Sequence, residues 1–213
     1  RSKNGDMIRK MPLTTITREG SRPARRILML PRIVIVGLLA LASGNVFAQT
    51  IQAELSNSSA RFNYATSVWG KQYGRAEVGG GLLYNDDSNY AVNADLHVYN
   101  DSYESPLELG VGGRIYYVDV GPYNVLALAL GLRFNYAPQA LHGFGIGAHY
   151  YYAPKVVTGL DGDHMSEYGI YLGYQMIPQA NVYVGYRKVK TDIKNGPNLT
   201  MDKGGYVGVR IRF

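Results

Sequence analysis

The densest run of chemically capable side chains is Asp161-Gly162-Asp163-His164-Met165-Ser166-Glu167. Carboxylates, a histidine and a hydroxyl are the parts of a hydrolase that activates water against lipid or peptide. General-base work needs hydrogen-bond geometry among those parts, and neighbours in sequence rarely supply it. Asp-Gly also favours turns, so a hydrated turn accounts for the run without catalysis. Its spacing does not complete a calcium-binding loop. His97 and His149 lack the convergent partners a metal requires. The G-x-G sequences do not join a strand to a helix, as a dinucleotide site would. No residue is assigned a catalytic or metal-binding role, and no cofactor is expected.

A second set of charges is spread along the chain. It comprises Glu54, Glu77, Asp95, Glu108 and Glu167 with Arg61, Arg114, Arg133, Arg187, Arg210 and Arg212. Each falls on the polar side of an alternating run. If those runs close into a barrel, the charges meet across its lumen. Buried charges need partners, and arginine can hold a carboxylate with two parallel bonds. Near balance of the two signs predicts an ion-pair and tyrosine network that fills the lumen. The alternative is a narrow pore for ions or small solutes, whose arginine excess favours anions.

The elements that must position these charges are strands. From residue 49 onward there are ten alternating runs separated by Gly, Pro, Asn, Asp and Ser clusters. In the clearest, Leu126, Leu128, Leu130, Leu132, Phe134 and Tyr136 share one face, and Ala127, Ala129, Gly131, Arg133 and Asn135 the other. A helix would mix Arg133 into the leucine stripe. The last run sets Val207, Val209, Ile211 and Phe213 against Tyr206, Gly208, Arg210 and Arg212. Its terminal aromatic resembles the ending of outer-membrane barrels, which implies recognition by the barrel-assembly machinery. The run at 50–55 is the shortest, so a barrel of eight strands is the alternative to ten.

With the last residue in the periplasm, the connections 154–166 and 190–202 are expected to be long and extracellular, and Ile177-Pro178-Gln179-Ala180 a short periplasmic turn. Tyr64, Tyr84, Tyr117, Tyr152, Tyr168 and Tyr186 then fall at the outer ends of apolar stripes. Trp69, Phe134, Tyr136, Phe144 and Phe213 fall at the inner ends. Two such girdles mark membrane interfaces. Around a soluble barrel, the leucine stripes would be an exposed apolar surface beyond what a soluble monomer carries.

Charge bounds the partners. Residues 1–48 hold nine Lys and Arg against two Asp and Glu, which leaves 13 against 14 afterwards. The later part offers no basic footprint for nucleic acid. Cysteine is absent, so no disulfide framework exists. Residues 1–28 read as a basic segment, disordered or upstream of the biological start at Met29. Residues 29–48 have the layout of a signal peptide: Arg32, an apolar run over 33–42, and Val46-Phe47-Ala48 before Gln49. No later stretch is apolar enough for a transmembrane helix.

Tyr150-Tyr151-Tyr152-Ala153-Pro154, Gly185-Tyr186-Arg187 and Gly205-Tyr206-Val207-Gly208-Val209 resemble the YfaZ-type family of small outer-membrane barrels. The resemblance covers most of 49–213 and is best after residue 107. It implies an outer-membrane location and a barrel, and carries over no activity. The expected protein is all-β: a closed antiparallel transmembrane barrel over 49–213, behind a signal peptide, in the bacterial outer membrane. Its partners are membrane lipid and lipopolysaccharide, and its role structural or interactive.

Overall fold

The structure, a computed structural model, describes residues 49–71, 74–100 and 105–213. The basic segment (1–28) and the signal peptide (29–48) lie outside those residues. Alternation of apolar with polar or glycine positions yields ten long strands and one short one. In chain order they are β1 (Gln49–Ser56), β2 (Ser59–Lys71), β3 (Gly74–Asn85), β4 (Tyr90–Tyr99), β5 (Leu107–Val120), β6 (Tyr123–Tyr136), β7 (Phe144–Ala153), β8 (Thr158–Leu160), β9 (Gly162–Ile177), β10 (Ala180–Ile193) and β11 (Asn198–Arg212).

All pairings are antiparallel, and β1 closes the wall against β11, from Thr50 opposite Arg212 to Ser56 opposite Tyr206. Closure leaves no unpaired edge to face lipid. The short β8 is a continuation of β7. It runs on along β6, opposite Val125–Ala127, after a 3₁₀ turn at Lys155–Val157. The barrel therefore has ten strands, not eight. The weak run at 50–55 is a full member, paired with β2 on one side and β11 on the other.

Two expectations fail. The stretches 154–166 and 190–202 are mostly wall, not loop: β8 and β9 occupy most of the first, and β10 and β11 reach deep into the second. At the end of the barrel away from Gln49 and Phe213, here the distal end, no connection exceeds four residues. The turn into β9 is made by Leu160, at φ 59°, and Asp161. Asp161 accepts the Asn124 N–H at 2.9 Å. Loop length therefore does not tell the two ends apart, because the seven residues between β6 and β7 at the terminal end outnumber any distal turn.

Composition accounts for the difference. Near the distal end the alternation inverts. Met165, Val189, Ile193 and Met201 point inward and are buried, while His164, Lys188, Lys190, Thr200 and Lys203 take the outer face. A barrel reaching past the hydrocarbon should look this way, since water replaces lipid outside. Between Val189 and Lys190 the pairing with β11 shifts by one residue. This β-bulge sets the neighbours Met201 and Asp202 both inward.

The outer wall elsewhere is apolar. Leu126, Leu128, Leu130 and Leu132 are exposed, as are Tyr84, Tyr117, Tyr152, Tyr168 and Tyr186 toward one end and Trp69, Phe134, Tyr136, Phe144 and Phe213 toward the other. Val207, Val209 and Ile211 also stand on this face. Tyr64 departs from the expected girdle. It sits midway along β2 opposite Gly80 and Ile51, and is buried.

Leu130 is the most exposed of the β6 leucines, at 73%. Leu130→Arg places a charge against the hydrocarbon and should destabilise the folded barrel by roughly 2–4 kcal/mol. A refolding titration in lipid vesicles measures this, and a neutral result would contradict the assignment of the outer face.

Candidate functional site

The inward faces of the strands build three levels inside the barrel. At the distal end the filling is apolar. Leu83, Tyr116, Val118, Val120, Val125, Met165, Val189, Ile193 and Met201 pack with alanines into one buried cluster. Every long strand except β1 and β2 contributes. Aliphatic side chains fill most of this level, with Asn85 and Thr191 buried beside them.

Beneath it lies a layer of charge. Glu167 on β9 is 0% exposed and is its hub. Arg61 reaches across from β2 and donates from Nη1 to Oε1 at 2.7 Å. Arg114 on β5 donates to the same oxygen at 3.3 Å, and the Tyr116 hydroxyl to Oε2 at 2.8 Å. His149 Nε2 stands 3.2 Å from Oε1, without hydrogen-bond alignment. Arg114 turns its other edge to Asp95, with Nε at 3.0 Å and Nη2 at 2.8 Å from Oδ2, and lies 4.1 Å over the Tyr151 ring.

A second knot centres on Arg187, 1% exposed. It pairs with Glu54 and donates from Nε to Asp202 at 2.6 Å. Ser59 and Tyr183 complete those carboxylates, each donating at 3.0 Å. Charges taken out of water are tolerated only with such satisfied geometry.

The third level is a vestibule between the charged layer and the terminal rim. Arg75 holds both Glu77, at 3.0 Å, and Glu108, at 2.6 Å. Arg133 donates to the Tyr99 hydroxyl at 2.7 Å. Arg210 lies 5.4 Å from the Tyr171 ring centre and 5.5 Å from that of Tyr183. Arg212 stands exposed near the rim. These groups line an internal cavity of about 90 Å³ that reaches up to Glu167.

Inward glycines make room for rings. The Tyr151 ring lies against Gly131, and that of Tyr183 against Gly208, where a Cβ would collide.

All eleven lumen charges read from the sequence (Glu54, Glu77, Asp95, Glu108, Glu167, Arg61, Arg114, Arg133, Arg187, Arg210 and Arg212) are on the inner face, but they do not form one network. Eight of them join ion pairs. Arg133, Arg210 and Arg212 make none among the described residues. Sequence reasoning missed Arg75 and Asp202. Parity was the available signal: Arg75 shares a face with Glu77, and Asp202 with Gly204 and Tyr206. The run 161–167 is divided between the two faces of the wall. Glu167 points into the lumen. His164, outside, has Nε2 2.5 Å from Asp192 and Nδ1 3.5 Å from Asp163.

A family model described as YfaZ precursor matches residues 30–213. The chain belongs to the YfaZ family. It is a β-barrel of the bacterial outer membrane. Among curated proteins none matches. Solved structures similar to this YfaZ-family barrel include a chain from work on the mechanism of in-meso crystallization of membrane proteins. That chain is 12% identical with a TM-score of 0.46, over 79% of this chain and 83% of that one. The NanC porin is 11% identical with a TM-score of 0.43, over 79% and 100%. OmpT of Vibrio cholerae is 14% identical with a TM-score of 0.39, over 77% and 64%, so this chain spans just under two thirds of that barrel.

Removing one partner of a buried ion pair strands the other. Glu167→Ala leaves Arg61 and Arg114 short of their shared acceptor and should cost roughly 3–5 kcal/mol. Lys203→Gln, at an exposed exterior position, should stay within about 0.5 kcal/mol of the parent. Urea titrations of both variants in the same vesicles check the contrast.

Proposed function

We propose that this barrel does not conduct and serves as a structural or interaction barrel, closed toward one side of the membrane and open toward the other. The observation that carries this is the distal apolar cluster. Its members come from eight strands, and none is more than 5% exposed. A pore needs a continuous polar route, and here aliphatic side chains and the buried charged layer stand across it. The terminal end, where both Gln49 and Phe213 lie, faces the periplasm in this reading, as delivery of a secreted chain requires. Lipid and lipopolysaccharide contact the apolar wall and its tyrosine belt.

The channel reading makes the opposite prediction. Single-channel recording on the folded barrel in a planar bilayer should show no discrete steps. Steps whose ion selectivity changes in Arg133→Ala would establish conduction through the lumen and overturn the proposal.

A further inference from the structure

The vestibule has more cationic groups than its own carboxylates neutralise. The cavity is lined by six arginines and five acids; toward the terminal rim Arg75 takes both Glu77 and Glu108, and Arg133, Arg210 and Arg212 are left over. Among the described residues no carboxylate lies within ion-pair distance of Arg133, Arg210 or Arg212. The other lumen acids are held by Arg61, Arg114 and Arg187 in the layer beneath the apolar cluster.

Neutral partners hold two of the three guanidiniums in place. Arg133 donates to the Tyr99 hydroxyl. Arg210 donates to Tyr171 at 3.4 Å, and Tyr171 in turn donates to Asn135 at 3.3 Å. With its amide oxygen turned toward Arg210, Gln52 accepts from Nε and Nη2. Arginines that only fill a lumen are expected to meet carboxylates, as the three in the charged layer do. These instead sit on phenols and amides, which orient them without cancelling their charge.

We propose that the vestibule is a binding site for a small oxyanion, a carboxylate or a phosphate, entering from the terminal end. The chemistry follows from the guanidinium fork, which matches the paired oxygens of either group. The cavity, about 90 Å³, has room for an anion of a few heavy atoms. The site deepens the closed-barrel reading by giving the open half a ligand, yet it stands on its own geometry.

The test uses the full protein folded in detergent micelles at constant ionic strength. Calorimetric titration with inorganic phosphate and, separately, with acetate should show saturable binding of at least one; which of them binds identifies the chemistry. Arg133→Gln and Arg210→Gln should each weaken that binding by about tenfold or more, since each removes a charge-assisted contact. Arg210→Lys should fall between, because it keeps the charge and loses the fork. Lys203→Gln should leave the affinity unchanged. Neither substituted arginine belongs to an ion pair, so the variants should fold, and a shift of the melting temperature by the anion provides a second readout. Absence of saturable binding by both anions overturns the proposal. So does an equal loss in Lys203→Gln, which would mean unspecific attraction. Conductance recorded on the same samples bears only on the closed-barrel reading, so the two fail separately.

Discussion

A carboxylate buried inside a barrel must be neutralised there, and Glu167 imposes that demand on the whole barrel. Its partners lie more than fifty residues away in sequence, Arg61 on β2 and Arg114 on β5. They reach it only across the lumen. Backbone pairing ties each strand to its neighbours, whereas these bonds tie opposite walls and oppose flattening of the cylinder. Arg187 on β10 instead ties neighbouring strands, holding Asp202 on β11 and Glu54 on β1. Glycines and tyrosines serve this arrangement, the former giving up volume that the rings of the latter occupy. The rings then present flat faces to the guanidiniums, as Tyr151 does to Arg114.

The lumen is unequal along its length. Distal filling follows the rule of a soluble core, with aliphatic packing inside and polar residues outside. Mid-barrel filling follows the rule for buried ions, each arginine of the layer meeting a carboxylate. Among the described residues the arginines without a carboxylate lie in the terminal half, and the cavity runs from there up to Glu167. A uniform pore lining would have spread its charge imbalance along the axis. Concentrating it at one end is what a receptacle requires.

The alternation of apolar and polar positions makes most of this legible in the sequence. Leu126 to Tyr136 is a strand by inspection, and the same parity turns Glu167, Arg133 and Arg187 inward with no knowledge of tertiary contacts. Where the pattern fails, its sign has changed. In 161–167 and 188–203 the inward residues include Met165, Val189, Ile193 and Met201, and the outward ones are polar. No lipid-facing stripe marks these strands, so they pass for loops. The bulge at Met201 compounds this, because two successive inward residues break a period of two. Partner choice is not legible at all. Parity says that Arg114 and Arg133 both face inward, but not that one meets Glu167 and Asp95 while the other meets only a phenol. That depends on strand stagger around the cylinder, which no local pattern encodes.

The distal turns, none longer than four residues, have a consequence for how other molecules meet this surface. Long surface loops give antibodies, phages and proteases their purchase, and they let related barrels diverge in what they display. Here nearly all the distal backbone is committed to the ladder, so that end is a low rim with little slack chain to seize. It also leaves little room for antigenic variation by insertion, because added residues would have to lengthen turns already bonded into the wall, as Asp161 is to Asn124.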